Sequence, residues 1–195
     1  DILDVISESV KQMSEGELLQ IEKAKKLDID EETYFEIIKK KTASLISSCC
    51  KIAAVSVNSP SSEIKKITKI GMHIGIAFQI KDDLFDYGKK TIGKPRGIDI
   101  KQKKITLPLI YALNNINKSE KRWLIKSLKK NKKSRALINQ IISLVKERGG
   151  LDYAIEIMNK YHKLSLNGLE TFKDSPYKDS CLLYTSDAAD DETSG

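Results

Sequence analysis

Only 10 glycines and 4 prolines occur in 195 residues, too few for a turn-rich β fold. Aromatic residues make up 6% of the chain, with a single Trp. Three cysteines, two of them adjacent (Cys49-Cys50), provide neither a disulfide framework nor zinc-ligand spacing. A reducing cytoplasm is therefore the expected compartment. No apolar run approaches the ~18 residues of a membrane span. The N-terminal residues lack the charged and apolar regions of a signal peptide. The chain opens on Asp1 rather than Met, so it is expected to start partway through something longer. Neither a Ser/His/Asp nor a Cys/His constellation is present, and His73 and His162 have no partner at metal-ligand spacing.

What remains is helical material. Forty per cent of residues are apolar, set in long stretches rich in Ile, Leu, Lys and Glu. Ile2, Leu3, Val5, Ile6, Val10 and Met13 recur at helical spacing, extended by Leu18, Leu19 and Ile21. Asp30, followed by Glu31 and Glu32, predicts a capped helix start, with the helix running to about Val57. A long helix is expected over 63–87, after a break at Ser59-Pro60. Residues 88–105 hold three Gly and one Pro and predict a long loop, of the kind that is more often functional than idle. Further helices are expected near 106–115, 118–129, 134–148 and 150–172. The fold class is all-α, without strands or internal repeats.

The informative segment is Gly71–Tyr87. Ile74, Ile76, Ala77, Phe78, Ile80, Leu84 and Phe85 surround much of this helix and mark it as buried. Yet Asp82, Asp83 and Asp86 cluster at its C-terminal end, where the helix dipole opposes them. Spacings of i, i+3 and i, i+4 place them on a shared face. Clustered anions in that position need compensation, and Mg²⁺ suits them because it accepts one or two carboxylates while bridging to phosphates. On spacing alone, a solvated helix end paired to Lys81, Lys89 and Lys90 explains the acids equally well. Lys94 and Arg96 in the following loop, with Lys104 before the next helix, tilt the balance toward a polyanionic ligand such as diphosphate.

Three motifs in order, FQIKDDLFDY (78–87), TIGKPRGIDI (91–100) and KITLPLIYAL (104–113), resemble the second aspartate-rich region of the trans-isoprenyl (polyprenyl) diphosphate synthases. MSEGELLQ (13–20), KKTASLISSCC (40–50) and YHKLSLNGLETFKDSPYKDS (161–180) extend the resemblance over about residues 1–180. It implies a helical bundle of the isoprenoid synthase type and a Mg²⁺-dependent prenyl transfer. Asp82 would be the principal Mg²⁺ ligand, supported by Asp83 and Asp86. Gln79 would line the allylic pocket, and Lys41, Thr42 and Lys94 would meet the allylic diphosphate. The substrates implied are an allylic diphosphate and isopentenyl diphosphate, condensed by ionisation, attack of the isopentenyl double bond and proton loss. A homodimer is implied for the full-length protein, and MSEGELLQ leans toward octaprenyl-like, medium- to long-chain members.

The family pattern is incomplete. No second DDxxD occurs in these residues, so the N-terminal half is expected to be missing and the chain alone inactive. Residues 181–195, small and acidic, are read as a disordered, non-native tail. The basic stretch 121–135 lacks interleaved aromatics except Trp123 and is read as a solvated helix face, with no nucleic-acid partner. The alternatives to an enzyme are a non-catalytic subunit of a heteromeric synthase and, behind it, a basic helical nucleic-acid-binding module resting on residues 121–135.

Overall fold

A computed structural model describes residues 2–26, 29–88 and 97–182. It is all-helical there, with no strand among the described residues. Helix α1 (Ile2–Lys26) leads into α2 (Glu31–Ile38). A π-helical turn (Lys39–Ala43) joins α2 directly to α3 (Ser44–Ser56). The long α4 (Ser61–Phe85) follows, then α5 (Ile98–Lys101), α6 (Leu107–Asn114), α7 (Lys118–Lys129), α8 (Arg135–Glu147) and α9 (Gly150–Glu170). Residues 176–182 are also helical.

Local chemistry explains most of these boundaries. The Asp30 carboxylate accepts a 2.8 Å bond from the Thr33 amide and caps α2. Asn117 and Glu120 form a reciprocal capping box at the start of α7, and Ser134 caps α8. Pro60 precedes α4, and Pro108 sits in the first turn of α6, where its missing N–H costs nothing. The single helix expected from Asp30 to Val57 is interrupted by the π turn, which apolar periodicity does not announce. Part of the expected 88–105 loop is helical, because Gly97, at φ 79°, reverses the chain into α5. Residues 89–96, and with them Lys94, lie outside the described residues, as does most of the tail expected to be disordered.

Helix α4 is the centre of the bundle and packs most extensively against α9 and α3. Ile76, Ile80 and Leu84 of α4 join Leu107, Leu109 and Ile110 of α6, Ile141, Ile142 and Val145 of α8, and Met158 of α9 in one core. Gly75 lets α4 approach the π turn: a Cβ there would meet the Ala43 Cα at 2.5 Å. Burial is less complete than the sequence suggests. Phe78 is 45% exposed, Cys49 is exposed, and α1 leaves Leu3, Ile6, Val10, Leu18 and Ile21 exposed. Among the described residues no helix is long and apolar enough to cross a membrane.

Candidate functional site

The π turn and the C-terminal end of α4 face one another across a cavity of about 160 Å³. Its walls include Tyr34, Ile37 and Ile38 of α2, Lys41 and Thr42 of the π turn, and Gln79 and Asp82 of α4, with Gln20 of α1 and Lys104 completing the polar rim. A π turn inserts an extra residue into a helix and turns its side chains relative to the preceding ones. Gly16 of α1 allows the turn to lie close, since a Cβ at position 16 would stand 2.7 Å from the Lys41 amide nitrogen.

Each polar group is held by another. Lys41 Nζ donates to Gln20 Oε1 at 2.7 Å and pairs with Glu17 at 2.5 Å. Thr42 Oγ1 donates to Gln79 Oε1 at 2.6 Å, which fixes the amide so that its nitrogen points at the acids. Gln79 Nε2 lies 3.1 Å from Asp83 Oδ1 and 3.4 Å from Asp82 Oδ2. The sequence expectation thus brings Lys41, Thr42, Gln79 and Asp82 together on one cavity.

Asp83 and Asp86 are not among the residues that line this cavity. Asp83 is fully buried and accepts from Tyr34 Oη (2.7 Å), Lys104 Nζ (2.7 Å) and Gln79. Burial pushes its carboxyl above the usual range, while the Lys104 charge and the hydrogen bonds from Lys104 and Tyr34 pull it back. Burial also disfavours the Lys104 ammonium, but Asp83 and Asp99 more than offset this and hold its pKa well above that of an ordinary lysine. Burial and the Asp83 carboxylate raise the Tyr34 phenol far above its usual value, so it remains a donor. Asp86 accepts backbone bonds from Ile98 (2.7 Å) and Asp99 (3.2 Å) and pins α5 to the end of α4. Its carboxyl is pushed up by burial and by the Asp99 charge, against those backbone donors.

The donor set can be tested against a divalent cation. Among the described residues no cluster of three or more His, Cys, Asp or Glu side chains forms a ready cage. One carboxylate, Asp82, borders the cavity beside the Thr42 hydroxyl and the Gln79 amide. That set is too sparse for a metal held by protein alone. It does fit Mg²⁺, which keeps several waters and completes its shell with phosphate oxygens. Lys104 was noticed in the sequence as a nearby cation but not as the pivot of the site. Tyr34 and Asp99 carry no such signal, because their partners are 49 and 5 residues away. A larger groove of about 740 Å³ lies between α7 and α8, and none of these residues line it.

Comparison with known proteins gives this geometry its context. A family model described as polyprenyl synthetase matches residues 1–145. The chain is 31% identical over 180 residues to a geranylgeranyl diphosphate synthase of Sulfolobus acidocaldarius, covering 90% of this chain and 54% of that one. It is 28% identical over 183 residues to the octaprenyl diphosphate synthase of Escherichia coli, covering 93% and 56%. A solved polyprenyl synthase from Caulobacter crescentus, complexed with calcium and isoprenyl diphosphate, superposes with a TM-score of 0.90 at 26% identity, covering 96% of this chain and 58% of the other. The chain therefore spans a little over half the length of the relatives it matches. The order of the motifs, the helical architecture and the family match agree, and the chain belongs to the polyprenyl synthetase family.

Proposed function

We propose that this chain forms the diphosphate-binding wall of a trans-polyprenyl diphosphate synthase. The observation that carries the reading is the convergence of Lys41, Thr42, Gln79, Asp82 and Lys104 on one cavity. Two lysines oppose the negative charge of a diphosphate, and Lys94, which matches the family pattern, would add a third. Mg²⁺ held by Asp82 would supply further charge neutralisation at the diphosphate oxygens. With that charge offset, the allylic C–O bond breaks and its electron pair leaves with the diphosphate. The allylic carbon then bonds to the double bond of isopentenyl diphosphate, and the new cation loses a proton to restore an alkene. Ile29, Ile37, Ile38 and Ile105 line the cavity with apolar surface that excludes water from the cation.

Asp83 and Asp86 act in this reading by holding Lys104 and α5 in place. The full-length protein would act as a homodimer in the cytoplasm and make medium- to long-chain products. The 195-residue chain alone would not complete the reaction, since its sequence holds one DDxxD and relatives are nearly twice as long. Isothermal titration of the purified chain with inorganic diphosphate tests the assignment. Binding is expected only when Mg²⁺ is present, and Asp82→Ala should abolish that Mg²⁺-dependent binding. Mg²⁺-independent binding, or an unchanged Mg²⁺ requirement in Asp82→Ala, refutes the role given to this acid.

A further inference from the structure

The net charge of the chain is not spread over it. Residues 118–135 contain nine of the 34 lysines and arginines but one of the 27 acids. The other 177 residues hold 25 cations and 26 acids, so the formal charge of +7 resides in this one segment. Its single acid, Glu120, is already engaged in the capping box of α7 and in an ion pair with Arg148. Among the described residues none of the nine cations forms an ion pair.

The cations also share a side of the helix. Lys118, Arg122, Lys126 and Lys129 fall at i, i+4 and i+3 intervals, making one exposed stripe along α7 while Leu124 and Leu128 enter the core. Like charges at these spacings disfavour the helix, so the stripe is maintained against its own repulsion. Trp123, the only tryptophan in the chain, flanks the stripe and is 39% exposed. The patch continues through Lys130 and Lys132 and is tied to the diphosphate cavity. Lys103, adjacent to Lys104, donates to Asn131 at 2.9 Å. Burial and the Lys103 charge hold the Lys133 ammonium below its ordinary pKa, as expected where cations crowd.

We propose that α7 and residues 129–135 seat this protein on an anionic phospholipid surface, with the Trp123 indole entering the headgroup layer. A basic stripe flanked by an amphipathic aromatic ring is the chemistry of peripheral attachment, and no spanning helix is needed for it. RNA is the less suited polyanion, because Trp123 is the single aromatic among these cations and one ring makes no platform for successive bases. Bilayer attachment next to the cavity also suits a ligand with an apolar tail and an anionic head, a point that rests on the prenyl reading. The attachment itself does not rest on it.

Vesicle flotation of the whole 195-residue chain tests the proposal without any activity measurement. The chain should float with phosphatidylcholine vesicles containing about one-third phosphatidylglycerol, remain unbound with pure phosphatidylcholine, and be released by salt. Trp123 emission should shift to the blue on binding. Combined Arg122→Gln, Lys126→Gln and Lys129→Gln changes, with an unaltered circular dichroism spectrum and melting curve, should weaken binding on the order of a hundredfold. Failure to float, equal flotation of the triple variant, or an unmoved Trp123 emission overturns the proposal. So does RNA binding without flotation. Binding of free inorganic diphosphate that the triple change abolishes, again without flotation, overturns it in favour of a charge funnel to the cavity.

Discussion

Replacing Lys104 with Met removes the cation that pairs with Asp83 among the described residues and leaves the hydrocarbon part of the side chain in place. Asp83 is fully buried, and its remaining donors among the described residues, Tyr34 and Gln79, are both neutral. Removing one partner of a buried ion pair costs about 3–5 kcal/mol. Because the Lys104 side chain is 23% exposed, the lower end applies, about 3 kcal/mol or roughly a hundredfold in the folding equilibrium. A urea denaturation midpoint should fall by on the order of 1 M or more. The loss should depend on pH in a defined direction. Burial already raises the Asp83 carboxyl, and removing Lys104 raises it further. A carboxyl whose folded pKa lies above its unfolded value contributes most below the unfolded value, and stability falls as pH rises through the folded one. Lys104→Met should thus be nearest to the parent near pH 4 and furthest from it at neutral pH, where Asp83 must fold as an unpaired anion. Adding Asp83→Asn should recover part of the loss, since the amide oxygen still accepts from Tyr34 without carrying charge. A midpoint within experimental error of the parent at neutral pH refutes the argument. So does a loss that is equal at acid pH, or one that Asp83→Asn does not relieve.

Three further outcomes follow from the same contacts. Gly75→Val should destabilise by about 1–3 kcal/mol in urea denaturation, because its side chain meets Ala43 of the π turn with no room to yield. Asn117→Ala removes the acceptor for the Ser119 and Glu120 amides and should cost about 1 kcal/mol by the same measurement. Thr42→Val deletes the donor that orients Gln79 and should cost about 1 kcal/mol. It should also weaken Mg²⁺-dependent diphosphate binding in titration calorimetry, whereas Asn117→Ala should leave that binding unchanged.

Much of the bundle was legible from apolar spacing and caps. Asp30 announced α2, because a capping signal acts within a few residues of itself. The expected helices 118–129 and 134–148 match α7 and α8 to within a residue. The π turn was not legible, since an extra residue in a helix leaves no compositional mark and is stabilised by the approach of Gly16 and Gly75 from other helices. The cavity was half legible. Asp82 follows from the local acidic cluster and Lys41, Thr42 and Gln79 from the family resemblance, while Tyr34 and Lys104 gain their roles only when α2 and the α5–α6 connection meet Asp83. Periodicity also overstated burial on α1, whose apolar stripe is real but largely uncovered here.

Asp83 and Asp86 differ in how their charge is compensated, and in the proposed reading that sets both apart from Asp82. All sit where the C-terminal carbonyls of α4 oppose an anion. Asp86 meets this by accepting the Ile98 and Asp99 amides at the start of α5, so its charge is spent on fixing the chain that follows. Asp83 meets it with three donors in the interior, which makes it a brace between α2, α4 and Lys104. In the proposed reading both keep these partners, and the metal falls to Asp82. Asp82 borders the cavity, where in that reading it would share Mg²⁺ with a diphosphate. A repeat of like residues is therefore not a repeat of like functions, and Asp83→Asn and Asp82→Asn should separate them. The first should appear chiefly in unfolding, the second chiefly in Mg²⁺-dependent diphosphate binding, and equal effects on both measurements would contradict this division.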